Sequence, residues 1–282
     1  MRAKLIAEAK LVVVKLGTGI LTDRRNRLAS SRIKQIVAQV ARARKAGREV
    51  VLVSSGAVAA GMEALGYEKR PARLEELQAC AAVGQSRLMA VYQELFAAHE
   101  IQAAQVLLTH ADLQDHDRHL NARNTLMALL ARGVVPVINE NDAVSFTELT
   151  VGDNDKLSAL VAALLPADLL VLLTTADGLV RNFGKASAKL VPTVKKIDAA
   201  TRKLAGGTQS STSVGGMASK LKAAEIVMRA GIPMLIGNGV QRGVLTKVLA
   251  AEAVGTFFLP GEAKLKGRKR WIAFFHHPQG SM

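Results

Sequence analysis

Short apolar runs at residues 10–15, 49–53, 103–108, 134–138, 169–173 and 233–236 recur along the chain without in-and-out alternation. Runs of four to six residues rich in Val, Leu and Ile suit strands that are buried on both faces. Between these runs, residues 31–46, 74–99, 119–132, 155–164 and 219–230 carry apolar side chains at helical spacing, as crossover helices do. The alternation predicts the α/β class, with parallel strands joined by helices. Gly47, Gly133 and Gly231 follow three of the helices, where a left-handed C′ residue suits glycine.

No repeat or low-complexity linker divides the 282 residues, so a single compact domain is preferred, followed from about residue 261 by a basic tail. Half the chain is apolar, with 4% aromatic residues, which excludes disorder and points to a core of Ala, Val and Leu. The single Cys80 can form neither an internal disulfide nor a cysteine metal cage, and a reducing, cytoplasmic setting is expected. The first apolar run is too short for a signal sequence. Pro166 and Asp168 interrupt the most apolar stretch, so no membrane span is expected. With 38 Lys+Arg against 23 Asp+Glu, the formal charge of +15 fits nucleic acid, an acidic membrane or an anionic substrate. Lys264, Lys266, Arg268, Lys269 and Arg270 crowd the tail.

Ligands bind at the carboxyl ends of strands in open parallel sheets, and several strand ends here run into chemically unusual loops. VVVKLGTGIL delivers Lys15, Gly17 and Gly19, an ammonium and free amides for an anion. VLVSSGAVAAG delivers Ser54, Ser55 and Gly56 into an Ala-rich helix whose small residues, through Gly61, would let a ligand reach the exposed amides. A serine there would ordinarily be an N-cap. VVPVINENDAV supplies Asn139, Glu140, Asn141 and Asp142, and VGDNDKLSAL supplies Asp153, Asn154 and Asp155 before a helix. Such groups can cap a helix, hold an ammonium, orient a lysine or bind Mg²⁺ through water. SVGGMASKLKAA pairs Gly215 and Gly216 with Lys220 at a helix start.

Other chemistries lack their signatures. GLVRNFGKA has the wrong spacing and Ala186 in place of Ser/Thr for a Walker loop, and the Gly17–Gly19 pair lacks the third glycine of a dinucleotide fingerprint. No G-x-S-x-G elbow is present, and His99, His110, His116 and His119 lie in polar or helical settings, where structural or exposed roles are expected. Two lysines on separate glycine loops with acidic residues between them suit phosphoryl transfer, which needs positioning and charge neutralisation.

Together VVVKLGTGIL, VLVSSGAVAAGMEALGY, AAVGQSRL, VINENDAV, VGDNDKLSAL and GGMASKLKAA, over roughly residues 10–260, resemble the glutamate-phosphorylating members of the amino-acid kinase family. The resemblance implies a three-layer αβα sandwich with a mainly parallel central sheet, a kinase domain over residues 1–262 and a tail over 263–282. It implies ATP-dependent phosphorylation of the γ-carboxylate of L-glutamate, the committed step toward proline, with Mg²⁺. By position, Lys15 and Lys220 would be the transfer lysines and Asp155 their organiser. Ser55, Asp142 and Asn154 match glutamate-binding positions, with Gly56 offering an amide nearby. Lys15, Gly17, Thr174, Thr175 and the stretch Val214, Gly215, Gly216, Met217, Ala218, Ser219 and Lys220 fall where the family binds ATP. The resemblance also implies proline as feedback inhibitor, a homo-oligomer (dimer or tetramer), and no nucleic acid or membrane partner. Arg268 to Trp271 is similar to the segment that leads to a PUA domain in many members; the chain stops about a dozen residues later, which implies a form without it.

The departures from the family pattern lie on the nucleotide side. Thr175, Ala176 and Asp177 follow Thr174 where members commonly read Thr-Asp, Arg181 to Gly184 replace a Thr-Ala-Asp-Pro continuation, and Val214 stands where Thr usually precedes Gly-Gly. The alternatives are a kinase for acetylglutamate, carbamate or uridylate, a degenerate kinase that binds RNA through the tail aromatics Trp271, Phe274 and Phe275, and a regulatory module that senses proline or glutamate.

Overall fold

The structure, a computed structural model, describes residues 1–23, 25–144, 153–205 and 216–261. The chain begins with α1 (Arg2–Glu8), β1 (Leu11–Leu16), α2 (Thr18–Leu21), α3 (Ser30–Lys45), β2 (Glu49–Val53), α4 (Ala57–Ala64) and α5 (Leu74–Ala97). It continues through β3 (Ala103–Leu108), α6 (His110–Gln114), α7 (His116–Ala131), β4 (Val135–Glu140), α8 (Asp153–Leu164) and β5 (Leu169–Thr174). Then come β6 (Val180–Arg181), β7 (Lys189–Leu190), β8 (Thr193–Val194), α9 (Ala199–Ala205), α10 (Met217–Arg229), β9 (Met234–Asn238), α11 (Val244–Leu249) and β10 (Thr256–Phe258).

Among the described residues the main sheet has eight strands in the order β3-β4-β2-β1-β5-β9-β10-β8. Neighbours run parallel except β9 and β10. Val13, Val51, Ile138 and Leu172 share one core with Leu160 of α8 and Leu221 of α10. Val12, Leu52, Val137 and Val171 share the other with Ile36 of α3 and Leu88 of α5. The result is the expected αβα sandwich, and it accounts for the unalternating runs: all six β1 residues are buried because helices cover both faces.

Several boundaries differ from expectation for local reasons. α7 starts at His116 because the Asp115 carboxylate accepts from the Arg118 amide and caps the helix. β4 runs on through Glu140, so Asn139 and Glu140 are strand residues opposite Leu107 and Leu108, not loop residues. Gly47, Gly133 and Gly231 take φ of +81°, +75° and +73°, as their place after helices predicts.

From β1 the chain crosses to β2 on one side, while from β5 it crosses to β9 on the other. A reversal of this kind opens a crevice at the carboxyl ends of the strands, and Lys15 of β1 and Thr174 of β5 stand there. No helix among the described residues is long and apolar enough to cross a membrane. The basic tail lies outside the described residues.

Candidate active site

Three charged side chains from β1, α8 and α10 converge in the crevice. Lys15 Nζ donates to Asp155 Oδ1 over 2.6 Å, and Lys220 Nζ donates to Oδ2 over 3.1 Å. Ser219 Oγ donates to the same Oδ2 over 2.6 Å, with the Gly216 carbonyl 2.8 Å away as a second acceptor. The three charged residues are at most 6% exposed. Burial by itself would raise the Asp155 carboxyl, but Lys15, Lys220 and the hydrogen bonds from Lys15 and Ser219 hold it below its ordinary value. Burial pushes the Lys220 ammonium down and repulsion from Lys15 adds to this, against the pull of Asp155. Two ammonium groups against one carboxylate leave the cluster one positive charge in a water-poor site, where an anion is strongly favoured.

The cluster is a poor place for a metal. Asp155 is committed to two lysines and a hydroxyl. Among the described residues no group of three His, Cys, Asp or Glu side chains could hold an ion.

On one flank the chain leaves β2 through Ser54 and Ser55 and turns at Gly56, whose φ of +97° is open to glycine without strain. Neither serine caps α4. Ser54 Oγ donates to the Ser55 carbonyl and lies 3.0 Å from Tyr92 Oη. Ser55 Oγ accepts from Asn154 Nδ2 over 2.9 Å. The glycines of this flank serve packing instead of ligand approach, since a Cβ on Gly61 would stand 1.7 Å from the Cys80 carbonyl oxygen, and one on Gly84 1.8 Å from that of Ala57. Backbone contact between α4 and α5 at these two points sets where Ser55 and Gly56 sit.

A chain of side-chain amides extends from Ser55. Asn154 Nδ2 also reaches Asn139 Oδ1 at 3.2 Å, Asn139 Nδ2 donates to Gln85 Oε1 over 2.9 Å, and Gln85 Nε2 donates to Gln105 Oε1 over 3.1 Å. Asn154 Oδ1 is buried with no partner among the described residues, an orphan of the sort that a bound ligand satisfies. Asp142 lines a cavity of about 200 Å³ together with Ala57, Gln85, Gln105 and Glu140. That volume is below the range of drug-sized sites and suits a small metabolite. His110 Nδ1 lies 3.6 Å from Glu140 Oε2 beside it. Sequence reading found Asn139 and Glu140 only as part of an acidic run, and it missed Gln105, which sits mid-strand with no motif around it.

The other flank is built from loops after β1, β5 and β9. Gly17 donates its amide to the Leu173 carbonyl over 3.1 Å and caps α2. Thr174 ends β5, and Thr175 Cγ2 would lie 2.9 Å from a Cβ on Gly19. Gly216 caps α10, with Met217 buried and Ala218 exposed in its first turn. Val214 and Gly215 lie outside the described residues. Beyond this flank β6 and β7 form a separate two-stranded hairpin whose connecting segment exposes Phe183.

With this geometry in place, the chain can be set beside known proteins. Residues 10–238 match the Amino acid kinase family. A glutamate 5-kinase of Moorella thermoacetica is 47% identical over 279 residues, covering 98% of this chain and 74% of the relative. A glutamate 5-kinase of Shewanella amazonensis is 50% identical over 93% of this chain and 69% of the relative. Among solved structures, carbamate kinase from Giardia lamblia bound to AMP-PNP shares the fold with a TM-score of 0.61 at 17% identity, over 90% of this chain and 99% of that one. UMP kinase from Bacillus anthracis does so at the same TM-score and identity, over 90% and 97%.

Proposed function

Since the chain belongs to the amino acid kinase family, in its glutamate 5-kinase branch, we propose that the Lys15–Asp155–Lys220 cluster transfers the γ-phosphoryl group of ATP to the γ-carboxylate of L-glutamate. The observation that carries this assignment of roles is the meeting of two buried lysines on one carboxylate at the strand ends where the sheet reverses.

A glutamate γ-carboxylate is already ionised near neutral pH, so no base is needed to activate it. One of its oxygens attacks the γ-phosphorus and forms a new O–P bond. The bond to the β–γ bridging oxygen breaks, and its electron pair leaves with ADP, giving L-glutamyl 5-phosphate. Negative charge meets negative charge in this step. Lys15 and Lys220 oppose that repulsion from fixed positions, and preorganised donors of this kind are worth about 10²–10³ in rate each. Asp155 holds both ammonium groups in register without taking a proton, and Ser219 fixes the carboxylate in turn.

The Ser55 hydroxyl and the Gly56 amide would bind the acceptor carboxylate, and Asn154 Oδ1, open to a donor, would with Asp142 in the adjoining cavity take the substrate ammonium. Gly17, Thr174, Thr175 and the start of α10 would bind ATP. Mg²⁺ would arrive with the nucleotide, because the described carboxylates offer it no cage. The same reading takes proline as feedback inhibitor, a dimer or tetramer as the working form, and the cytoplasm as the setting, on the strength of family resemblance.

The test is ATP consumption with L-glutamate and Mg²⁺, the acyl phosphate being trapped as hydroxamate. Hydroxamate that depends on L-glutamate is expected. Turnover with acetylglutamate or carbamate in its place, and none with L-glutamate, would overturn the proposal.

A further inference from the structure

One carboxylate outside the reacting cluster ties together two strand-end loops. Asp177 lies three residues beyond Thr174, in the segment between β5 and β6. Asn238 Nδ2 donates to its Oδ1 over 2.9 Å, and Gln241 Nε2 donates to the same atom over 3.1 Å. Asn238 ends β9, which pairs in parallel with β5 and places Thr174 opposite Asn238, and Gln241 lies in the loop that follows. The amide of Gly239 donates to the Thr174 carbonyl over 2.8 Å, and Asn238 Oδ1 accepts from the Val240 amide over 2.9 Å. Asn238 is thus held on both sides of its amide, and Asp177 is fastened to a fixed point.

What this latch holds in place is a wall of the crevice. The segment after β5 carries Thr175 against Gly19, and a Cβ on the neighbouring Gly17 would lie 3.6 Å from Lys15 Nζ. Asp177 is exposed, so its bonds add little to global stability. Their effect is local, on whether the segment from Thr174 to Gly178 keeps one conformation at the mouth of the crevice.

We propose that Asp177 is a positioning residue for the nucleotide: its latch to Asn238 and Gln241 presets the β5–β6 segment in the form that accepts ATP. The inference rests on assigning this flank to ATP. A loop that is competent only part of the time weakens apparent affinity by the competent fraction. Release of the latch to about one-fifth occupancy therefore raises the apparent Kd about fivefold. Acceptor binding depends on the other flank and the chemical step on the lysine cluster, so neither shares in the loss.

The experiment is steady-state kinetics on Asp177→Ala in the hydroxamate assay, with ATP and glutamate varied in turn, beside calorimetric titration of the protein with AMP-PNP. KM for ATP and Kd for AMP-PNP are expected to rise about fivefold, while KM for glutamate, kcat and Tm stay near wild type. Asp177→Asn keeps an oxygen able to accept both bonds and is expected to recover most of the affinity. Gln241→Ala is expected to weaken ATP to a smaller degree and to add nothing when combined with Asp177→Ala, because the two remove one latch. An Asp177→Ala protein whose AMP-PNP affinity is within twofold of wild type overturns the inference, as does an equal loss for both substrates. A wild-type protein that binds AMP-PNP but makes no glutamyl hydroxamate would overturn the proposed function alone, leaving the latch to be judged by the titration.

Discussion

The two flanks of the crevice are built to different rules. On the flank proposed for the acceptor, Ser55, Gln85, Asn139 and Glu140 are each at most 8% exposed, and hydrogen bonds run unbroken from the Ser55 hydroxyl through side-chain amides to Gln105. On the nucleotide flank Thr175, Asp177 and the whole of β7 are exposed, and the hairpin is held by two residue pairs, Val180 with Leu190 and Arg181 with Lys189. A buried polar group must be paired or it destabilises the fold. Each acceptor-flank residue therefore constrains its neighbours, while an exposed hairpin can change one position at a time. Arg181 to Gly184, where the sequence departs from the pattern it resembles, are all exposed.

The harshest way to break this contrast is to remove the element both flanks share. Lys220→Ala is expected to lower kcat by about 10²–10³-fold with both KM values little changed. Asp155 would keep Lys15 and Ser219 as partners, so the fold should survive. Stopped turnover with intact binding of AMP-PNP and glutamate separates chemistry from the two binding flanks; residual activity within tenfold of wild type would take Lys220 out of the transfer step. The wild-type pH profile carries a related signature. Burial depresses the Lys220 ammonium below 10.5, so the alkaline limb of kcat should fall at a lower pH than an ordinary lysine gives. Between the folded value and 10.5 the unfolded chain binds the extra proton, so this group's contribution to stability rises with pH through that window. Asp155 shifts in the same direction, its folded value lying below 3.8, so stability again rises with pH through its window. Its stabilising contribution is complete above 3.8 and is lost as pH falls through the folded value.

A more selective change sharpens the comparison. Asn154→Ala removes the donor to Ser55 and Asn139 and leaves Asn139 Oδ1 with the Glu140 amide alone among these contacts. KM for glutamate should rise about tenfold or more, in line with the loss of a hydrogen bond to a charged group, while KM for ATP moves less than twofold. Initial-rate kinetics with each substrate varied decide this. Equal increases in both constants would show that the amide chain supports the whole crevice and not one side.

Much of the scaffold was legible because it obeys short-range rules. β2 was read to the residue because a buried strand announces itself as an apolar run; β3 was read to the residue too, although at the sheet edge only its Leu108 is buried; and helix ends at Gly47, Gly133 and Gly231 follow from one glycine each. The three-residue β10 and its antiparallel pairing with β9 leave no such trace. In the site, Lys15, Asp155 and Lys220 could be singled out by motif and resemblance, yet nothing local distinguishes Asp155 from Asp153 as a helix-start acid. The bonds that do so reach 140 and 65 residues away. Gly61 misled for the same reason: a small residue permits close approach, but the sequence does not say whether a ligand or a helix will make it. Asp177 was unreadable as a latch because its partners lie 61 and 64 residues further on.

The smallest expected effect probes how far the independence of the exposed flank extends. The hairpin is tied to the sheet at its base, where the Leu179 amide donates to Thr256 Oγ1 over 2.8 Å and the Val191 amide to the Leu179 carbonyl over 2.7 Å. Gly178, with φ of +148°, packs there so tightly that a Cβ would stand 2.5 Å from Thr256 Oγ1. Everything beyond that anchor, including Phe183 at 56% exposure, can change without moving the Thr174 to Asp177 segment behind it. Phe183→Ala is therefore expected to alter stability by no more than about 0.5 kcal/mol and to leave both KM values within twofold. Thermal unfolding together with the same kinetics is the check. A loss of ATP affinity as large as that from Asp177→Ala would mean that the tip reaches back to the nucleotide. The flank would then be one recognition surface, reaching from Thr174 to the hairpin tip.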